Sequence, residues 1–318
     1  MIAWLLSGLG LIILLLAGDA LVRGAVNLSL RLGVPAMIVS LTIVAFGTSA
    51  PELLIAIEAI HDNAPGIALG NVVGSNTANI LMVLGMPALL ATLHTSECDT
   101  RKSYLIMLGA SVLFIALAFW GEFNLISGGI LLGALALVLW DAFREAMAHR
   151  KCDDDGICDD LDDLEEADPN MPYWRVGLYL VLGMIGLPLG ASLLVENATV
   201  IARTYHVSET VIGLSLVAIG TSLPELATTV MAALRRQADV ALGNVIGSNM
   251  FNLLAIVGIA TLFGRIPVDP EFLEFDLWVM LGASLLLIPF VFFRKDITRV
   301  WGFALTLLYA VYMIAVLV

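Results

Sequence analysis

The sequence predicts an all-α polytopic membrane protein, with about ten transmembrane helices in two inverted five-helix repeats. Three observations carry that prediction. Of 318 residues, 60% are hydrophobic and only 14% charged, and the mean hydropathy is +0.97; a soluble domain would carry about 25% charged residues. Apolar stretches of about 20 residues, long enough to cross a bilayer as helices, follow one another from end to end. A polar hexapeptide, Gly47-Thr48-Ser49-Ala50-Pro51-Glu52, recurs as Gly220-Thr221-Ser222-Leu223-Pro224-Glu225 in the middle of two such stretches.

The ten spans are read at residues 2–22, 35–60, 67–92, 104–121, 126–143, 176–196, 209–233, 240–263, 277–293 and 300–318. The first apolar stretch has no basic leader and no small-residue cleavage site, so it is expected to be a retained span. Alternate loops hold 13 of the 15 basic residues, among them Arg23, Arg31, Arg101, Lys102, Arg144, Arg235, Arg236 and Arg294. The opposite loops hold only Arg203 and Arg265. Basic residues concentrate on the cytoplasmic side. A multi-pass protein of the plasma (inner) membrane is therefore expected, with both termini outside.

The net charge of −13 is uneven. Residues 150–175 hold ten acids and three bases, so one loop gives over half the imbalance. No nucleic-acid partner is expected, and the oligomeric state is left open. Cys98, Cys152 and Cys158 all fall in loops assigned to the cytoplasm, where thiols stay reduced.

The two hexapeptides lie 173 residues apart, and the spacing holds without a gap through a second motif. Gly70-Asn71-Val72-Val73-Gly74-Ser75-Asn76 maps onto Gly243-Asn244-Val245-Ile246-Gly247-Ser248-Asn249, and Asn79 onto Asn252. Over 66–85 against 239–258, 11 of 20 positions are identical. Helix-packing glycines can recur by chance, but Asn, Ser, Pro and Glu do not recur in register that way. Five spans, an odd number, separate the copies, so the second must enter the membrane from the opposite face. The first membrane repeat, of five helices, is read as 1–150, with the internally repeated segment at about 34–85. An acidic cytoplasmic linker follows at 151–172, and then the second repeat at 173–318, with its core at about 207–258. Inverted repeats with broken helices typify secondary transporters, whose ion sites lie near the midplane.

Each hexapeptide places a carboxylate at membrane depth, at a cost of roughly 2.5–3.5 kcal/mol. No Lys or Arg inside a span neutralises it. Proline removes a backbone donor and frees carbonyls, which lipid cannot satisfy but cations can. The candidates are the carbonyls near Ala45, Phe46 and Thr48, and near Ala218, Ile219 and Thr221. The hydroxyls of Thr48, Ser49, Thr221 and Ser222 stand beside them. The second motif adds neutral oxygens from Ser75, Asn79, Ser248 and Asn252. A hard divalent cation wants roughly six to eight oxygens, and Glu52 with Glu225 balances its charge. Two monovalent cations would be balanced equally well. Asn71, Asn76, Asn244 and Asn249 read more simply as bonds between helices.

The paired Gly-Thr-Ser-x-Pro-Glu and Gly-Asn-x-x-Gly-Ser-Asn motifs resemble the two α-repeats of the Ca²⁺/cation antiporter superfamily, specifically its prokaryotic Na⁺/Ca²⁺ exchangers. The resemblance covers almost the whole chain. It implies a Ca²⁺ site formed by Glu52, Glu225, Thr48 and Thr221. It also implies Na⁺ sites drawing on Glu52, Ser49, Ser75, Thr48 and the Ala45 carbonyl, and on Glu225, Ser222, Ser248, Thr221 and the Ala218 carbonyl. Asn79 and Asn252 would flank the middle. Some relatives carry Asp in place of Asn252; the neutral amide here removes one charge. Spans 1 and 6 would slide against the rest to give alternating access. Calcium and sodium are then cargo, and no cofactor is expected. Exchange coupled to H⁺ on the same fold is the alternative, and a passive cation channel is a further one. No paired-aspartate or His-Glu-x-x-His motif suggests an enzyme.

Asp19 and Arg23, four apart, are expected to pair. Glu58, whose repeat counterpart is Met231, is placed near an outer mouth. Asp153 to Asp168 reads as a solvated linker, with only a partial match to a calcium-binding loop.

Overall fold

The computed structural model describes residues 2–154, 168, 171–206 and 218–317. The chain folds into α1 (Ile2–Leu32), α2 (Ala36–Thr48), α3 (Ala50–His61), α4 (Pro65–Leu90), α5 (Arg101–Ala118) and α6 (Leu125–Asp154). The second half holds α7 (Tyr173–Thr204), α8 (Ala218–Thr221), α9 (Leu223–Leu234), α10 (Ala238–Ala260), α11 (Phe272–Phe292) and α12 (Arg299–Leu317). Eight helices are individually long and apolar enough to span a membrane, and α2 with α3 makes a ninth span bent by 41°. The tenth expected span, 209–233, is represented by α8 and α9; its first half lies outside the described residues. The chain is thus a multi-pass helical membrane protein.

The break between α2 and α3 falls at Ser49 (φ −85°, ψ 2°), and the break between α8 and α9 at Ser222 (φ −87°, ψ 4°). In each case proline sits in the first turn beyond the break, where its missing N–H costs no helix bond. The backbone repeats more closely than the side chains do. The described residues with left-handed backbone are Gly33, Asn63, Gly121, His206, Arg236 and Arg294. They form three pairs, each 173 residues apart.

The same symmetry closes both faces of the molecule. On the face bearing the α6–α7 connection, here the linker face, Leu93 bridges Ile297 in antiparallel fashion. On the far face a short ribbon, β1 (Glu122–Phe123) with β2 (Ile266–Pro267), sets Phe123 opposite Ile266. Leu93 and Ile266 are repeat equivalents. Each face is therefore clasped by a strand contact between the two repeats. The linker-face clasp is reinforced by Asp296, which accepts from Ser96 N–H at 3.0 Å and meets His94 Nδ1 at 3.2 Å. Partial burial opposes ionisation of Asp296, but the Ser96 and His94 contacts hold its carboxyl below the usual range.

The core has two large apolar compartments, besides a smaller cluster at the α1–α7 seam with Leu14, Leu21 and Leu187 and a small group at Ala45, Phe251 and Ala255. One large compartment, toward the linker face, contains Met37, Leu41, Leu84, Tyr104, Val245 and Phe290; the other, toward the far face, contains Leu69, Phe114, Phe123, Leu253 and Val257. Between them runs a layer of buried polar side chains on α2, α3, α4, α9 and α10. Helix α10 is buried throughout its most apolar window, whereas α6, α7 and α12 stay largely exposed. The exposed faces are apolar, with Leu137, Ile185 and Phe303 among them, as a lipid solvent requires.

Several boundaries differ from expectation. Helix α1 runs ten residues past the expected end at 22, and α7 eight past 196. Arg23 and Arg31, expected in a loop, are therefore helical. Helix α6 continues to Asp154, into the segment read as linker, and takes in Lys151 and Asp153 of the partial calcium-loop match; the rest of that match, from Asp155 to Asp162, lies outside the described residues. The extensions survive because α1 and α7 pack on each other along their length. A Cβ at Gly10 would meet Leu194 N at 2.7 Å, and one at Gly190 would meet Leu14 N at 2.8 Å. Hydropathy finds a membrane-thick apolar run; it does not report that a partner helix lets the run continue.

The expected Asp19–Arg23 pair is present at 3.0 Å, and Asp19 also meets Arg235, the residue ending α9, at 2.5 Å. Asp19 and Arg235 are 21% and 18% exposed, so this contact lies between surface and interior. Asp19→Asn leaves Arg23 and Arg235 facing each other across a neutral group. A loss of about 1–2 kcal/mol is expected, intermediate between exposed and buried pairs, read as a lower melting temperature in detergent. An unchanged melt would contradict this role.

Candidate functional site

The polar layer gathers the residues singled out by the two motifs. Thr48, Ser49, Glu52, Ser75, Asn79, Ser222, Glu225, Ser248 and Asn252 are all buried, as is Thr221. Glu52 and Glu225 sit in the first turns of α3 and α9, where helix N-termini favour negative charge. They lie within reach of each other's charge.

Hydrogen bonds in the layer cross between the repeats. Ser49 Oγ donates to Glu225 Oε1 at 3.3 Å, and Thr48 Oγ1 lies 3.3 Å from Ser248 Oγ. The resemblance groups Thr48 and Ser49 with Glu52 and Ser75 in one Na⁺ set, and Thr48 with Glu225 in the Ca²⁺ set. The observed bonds join Thr48 to Ser248 on α10, which packs directly against α2, and Ser49 to Glu225 on α9. Asn76 Nδ2 donates to the Asn249 carbonyl at 3.2 Å, and Asn249 Nδ2 returns a bond to the Asn76 carbonyl at 3.3 Å. These two are repeat equivalents, so the pseudo-two-fold axis passes between them. Asn79 Nδ2 donates to Asn249 Oδ1 at 3.0 Å. The reading of Asn76, Asn244 and Asn249 as bonds between helices is borne out. Asn71 Nδ2 has no partner among the described residues.

The backbone departs from one detail of the sequence reading. The Ala45 carbonyl accepts the Ser49 N–H at 3.0 Å, and the Thr48 hydroxyl lies 3.2 Å from it, so it is not free. A carbonyl has a second lone pair, so Ala45 keeps acceptor capacity. Pro51 has no N–H for the Gly47 carbonyl four residues back, nor Pro224 for that of Gly220. Unforeseen π-turns widen α4 at Asn79–Val83 and α10 at Phe251–Ile256. Asn79 and Asn252 both lie within them, at repeat-equivalent positions. Such turns release backbone acceptors and gather at functional sites.

The remaining polar atoms define the chemistry. Both oxygens of Glu52, Glu225 Oε2, Ser75 Oγ, Ser222 Oγ, Asn79 Oδ1 and both amide atoms of Asn252 are buried without a partner among the described residues. Burying oxygens unpaired costs roughly 1–3 kcal/mol each, more for a charged carboxylate. All but one of these atoms is an oxygen, and no salt bridge among the described residues reaches either glutamate. The set suits cations and repels anions. Among the described residues no group of three or more His, Cys, Asp or Glu converges. Two carboxylates with neutral oxygens have the chemistry of a hard-cation site.

The profile of the sodium/calcium exchanger protein family matches residues 2–143 and 176–318. The chain belongs to this family. Sodium/calcium exchanger MaX1 of Methanosarcina acetivorans is 32% identical over 335 residues, covering 96% of each chain. Inner membrane protein YrbG of Escherichia coli is 34% identical over 280 residues, covering 87% of this chain and 85% of its own. The sodium-calcium exchanger NCX_Mj, soaked with 2.5 mM Na⁺ and 0.1 mM Ca²⁺, superposes with a TM-score of 0.81 at 30% identity, over 98% of this chain and 97% of its own. The protein is a transporter of the cation antiporter superfamily and not an enzyme.

Helices α2 and α10 approach so closely that Gly247 is obligatory. A Cβ there would sit 2.4 Å from the Leu41 carbonyl oxygen and 2.6 Å from the Ala45 Cβ. Gly247→Val is expected to cost about 1–3 kcal/mol through overpacking. It should lower the melting temperature and abolish cation exchange by parting Ser248 from Thr48. Wild-type melting and exchange would contradict this packing.

Proposed function

We propose that the protein exchanges Na⁺ for Ca²⁺ across the plasma membrane by alternating access, both ions using the oxygens around Glu52 and Glu225. One observation carries the reading: two buried glutamates from repeat-equivalent positions lie within reach of each other's charge, with no basic partner among the described residues. Their charge balances one Ca²⁺ or two Na⁺, which is the physical basis for competition at one shared site. In this reading Glu52, Glu225, Thr48 and Thr221 bind Ca²⁺. Ser49, Ser75, Ser222, Ser248 and the Ala45 and Ala218 carbonyls complete the Na⁺ positions, with Asn79 and Asn252 between them. The names of MaX1 and NCX_Mj, both sodium/calcium exchangers over nearly the whole length, support sodium as the coupling ion.

Alternating access uses the packed α1–α7 pair as the moving unit. Its small-residue seam, with Gly10, Gly183 and Gly190, keeps the pair together. Both termini lie outside and the acidic connection lies in the cytoplasm, as the 13 basic residues of the linker-face loops and helix ends support.

Radiocalcium uptake into Na⁺-loaded proteoliposomes diluted into Na⁺-free buffer tests the proposal. Uptake should require the Na⁺ gradient. Glu52→Gln and Glu225→Gln should each reduce it by about a hundredfold or more, at least the upper range for groups supporting a metal ligand. Near-normal flux in either variant would overturn the site. Uptake driven by a proton gradient without sodium would move the coupling ion to H⁺.

A further inference from the structure

The two half-sites share their ligating residue types but not their support, and the difference centres on Asn244. Its Nδ2 donates to Thr229 Oγ1 at 3.2 Å and to the Glu225 carbonyl at 3.4 Å; its Oδ1 accepts from Thr48 Oγ1 at 3.2 Å. All four residues are fully buried. A carbonyl has no proton to give, so Glu225 O fixes which end of the amide faces α9. The amide oxygen must then face α2. The Thr48 hydroxyl, with one proton, faces two obligatory acceptors, the Ala45 carbonyl and Asn244 Oδ1, and lies 3.3 Å from Ser248 Oγ, which can donate to it. Asn244 Oδ1 thus draws the Thr48 proton toward α10 and turns the hydroxyl oxygen toward the polar layer.

The other repeat lacks this brace. The counterpart of Asn244 is Asn71, but that of Thr229 is Ala56, which has no hydroxyl. Asn71 Nδ2 correspondingly has no partner among the described residues. One substitution between the repeats thus separates a braced amide from an unbraced one.

We infer that Thr229 is a positioning residue for cation binding. Through Asn244 it orients the Thr48 hydroxyl and the first turn of α9, making the Thr48–Ser248–Glu225 half-site the preorganised one. The inference rests on the cation site proposed above and adds an inequivalence that the repeated motifs do not contain.

The test is the calcium dependence of the melting temperature of the full chain in detergent, for wild type, Thr229→Val, Thr229→Ala and Thr229→Ser. Valine keeps the shape and loses the hydroxyl; alanine is the variant to use should valine fail to fold. Both should need about tenfold more Ca²⁺ for half-maximal stabilisation, the lower range for partners one step behind a metal ligand. Their melts in calcium-free buffer should stay close to wild type. In uptake, the half-saturating Ca²⁺ concentration should rise while the maximal rate is kept. Serine should restore wild-type behaviour. An unchanged half-point in both hydroxyl-free variants, or a serine variant as weak as valine, would overturn the assignment. Wild-type protein stabilised by Ca²⁺ but unable to couple uptake to Na⁺ would instead overturn the coupling ion and leave Thr229 to be judged by the melts.

Discussion

Two carboxylates held against each other in a protein interior, without a basic group to neutralise them, set the terms for everything around them. Their mutual repulsion and lost hydration are unfavourable in any arrangement that excludes cations. The chain tolerates Glu52 and Glu225 by placing each at a helix N-terminus, and it sets the Ser49 hydroxyl against Glu225. Those devices offset part of the cost, and in the proposed function a cation of matching charge offsets the rest. The broken helices follow from the same need. A continuous helix would bury its carbonyls in its own bonds, whereas a break at serine followed by proline opens the backbone at the depth of the glutamates.

The inverted repeat is how a single chain brings two such breaks together. The Asn76–Asn249 exchange lies on the axis, and the strand clasps on the two faces lie at its ends. Helices α4 and α10 form the central wall, so their glycines and small residues decide how near the broken helices come. The long α1–α7 pair packs outside this wall against α9, where Gly18 faces Ala227 and Asp19 meets Arg235. A rigid centre with a separately packed pair suits access that alternates between the faces.

Much of this was legible in the sequence, for identifiable reasons. Lipid demands about 20 apolar residues per crossing, so the spans appear in hydropathy. Glu, Pro and Asn are so costly at membrane depth that their recurrence in register exposed both the site and the inversion. Less legible was whatever depends on partners. The extensions of α1 and α7 depend on their mutual seam. The π-turns at Asn79 and Asn252 have no composition signature. The cross-repeat bonding of Thr48 to Ser248 depends on the approach of α10 to α2, and that of Ser49 to Glu225 on the approach of α9. Thr229 looks like any threonine on a helix, and only its mismatch with Ala56 across the repeat marks it.

The central claim is that cations bind between Glu52 and Glu225, where the repeats meet. Anomalous diffraction from crystals soaked in Sr²⁺, a heavier stand-in for Ca²⁺, tests it most directly. The account predicts a peak between the two carboxylates, within ligand distance of Thr48 and Thr221, that disappears in Glu225→Gln. A principal peak away from both glutamates, or one that persists in that variant, would contradict it.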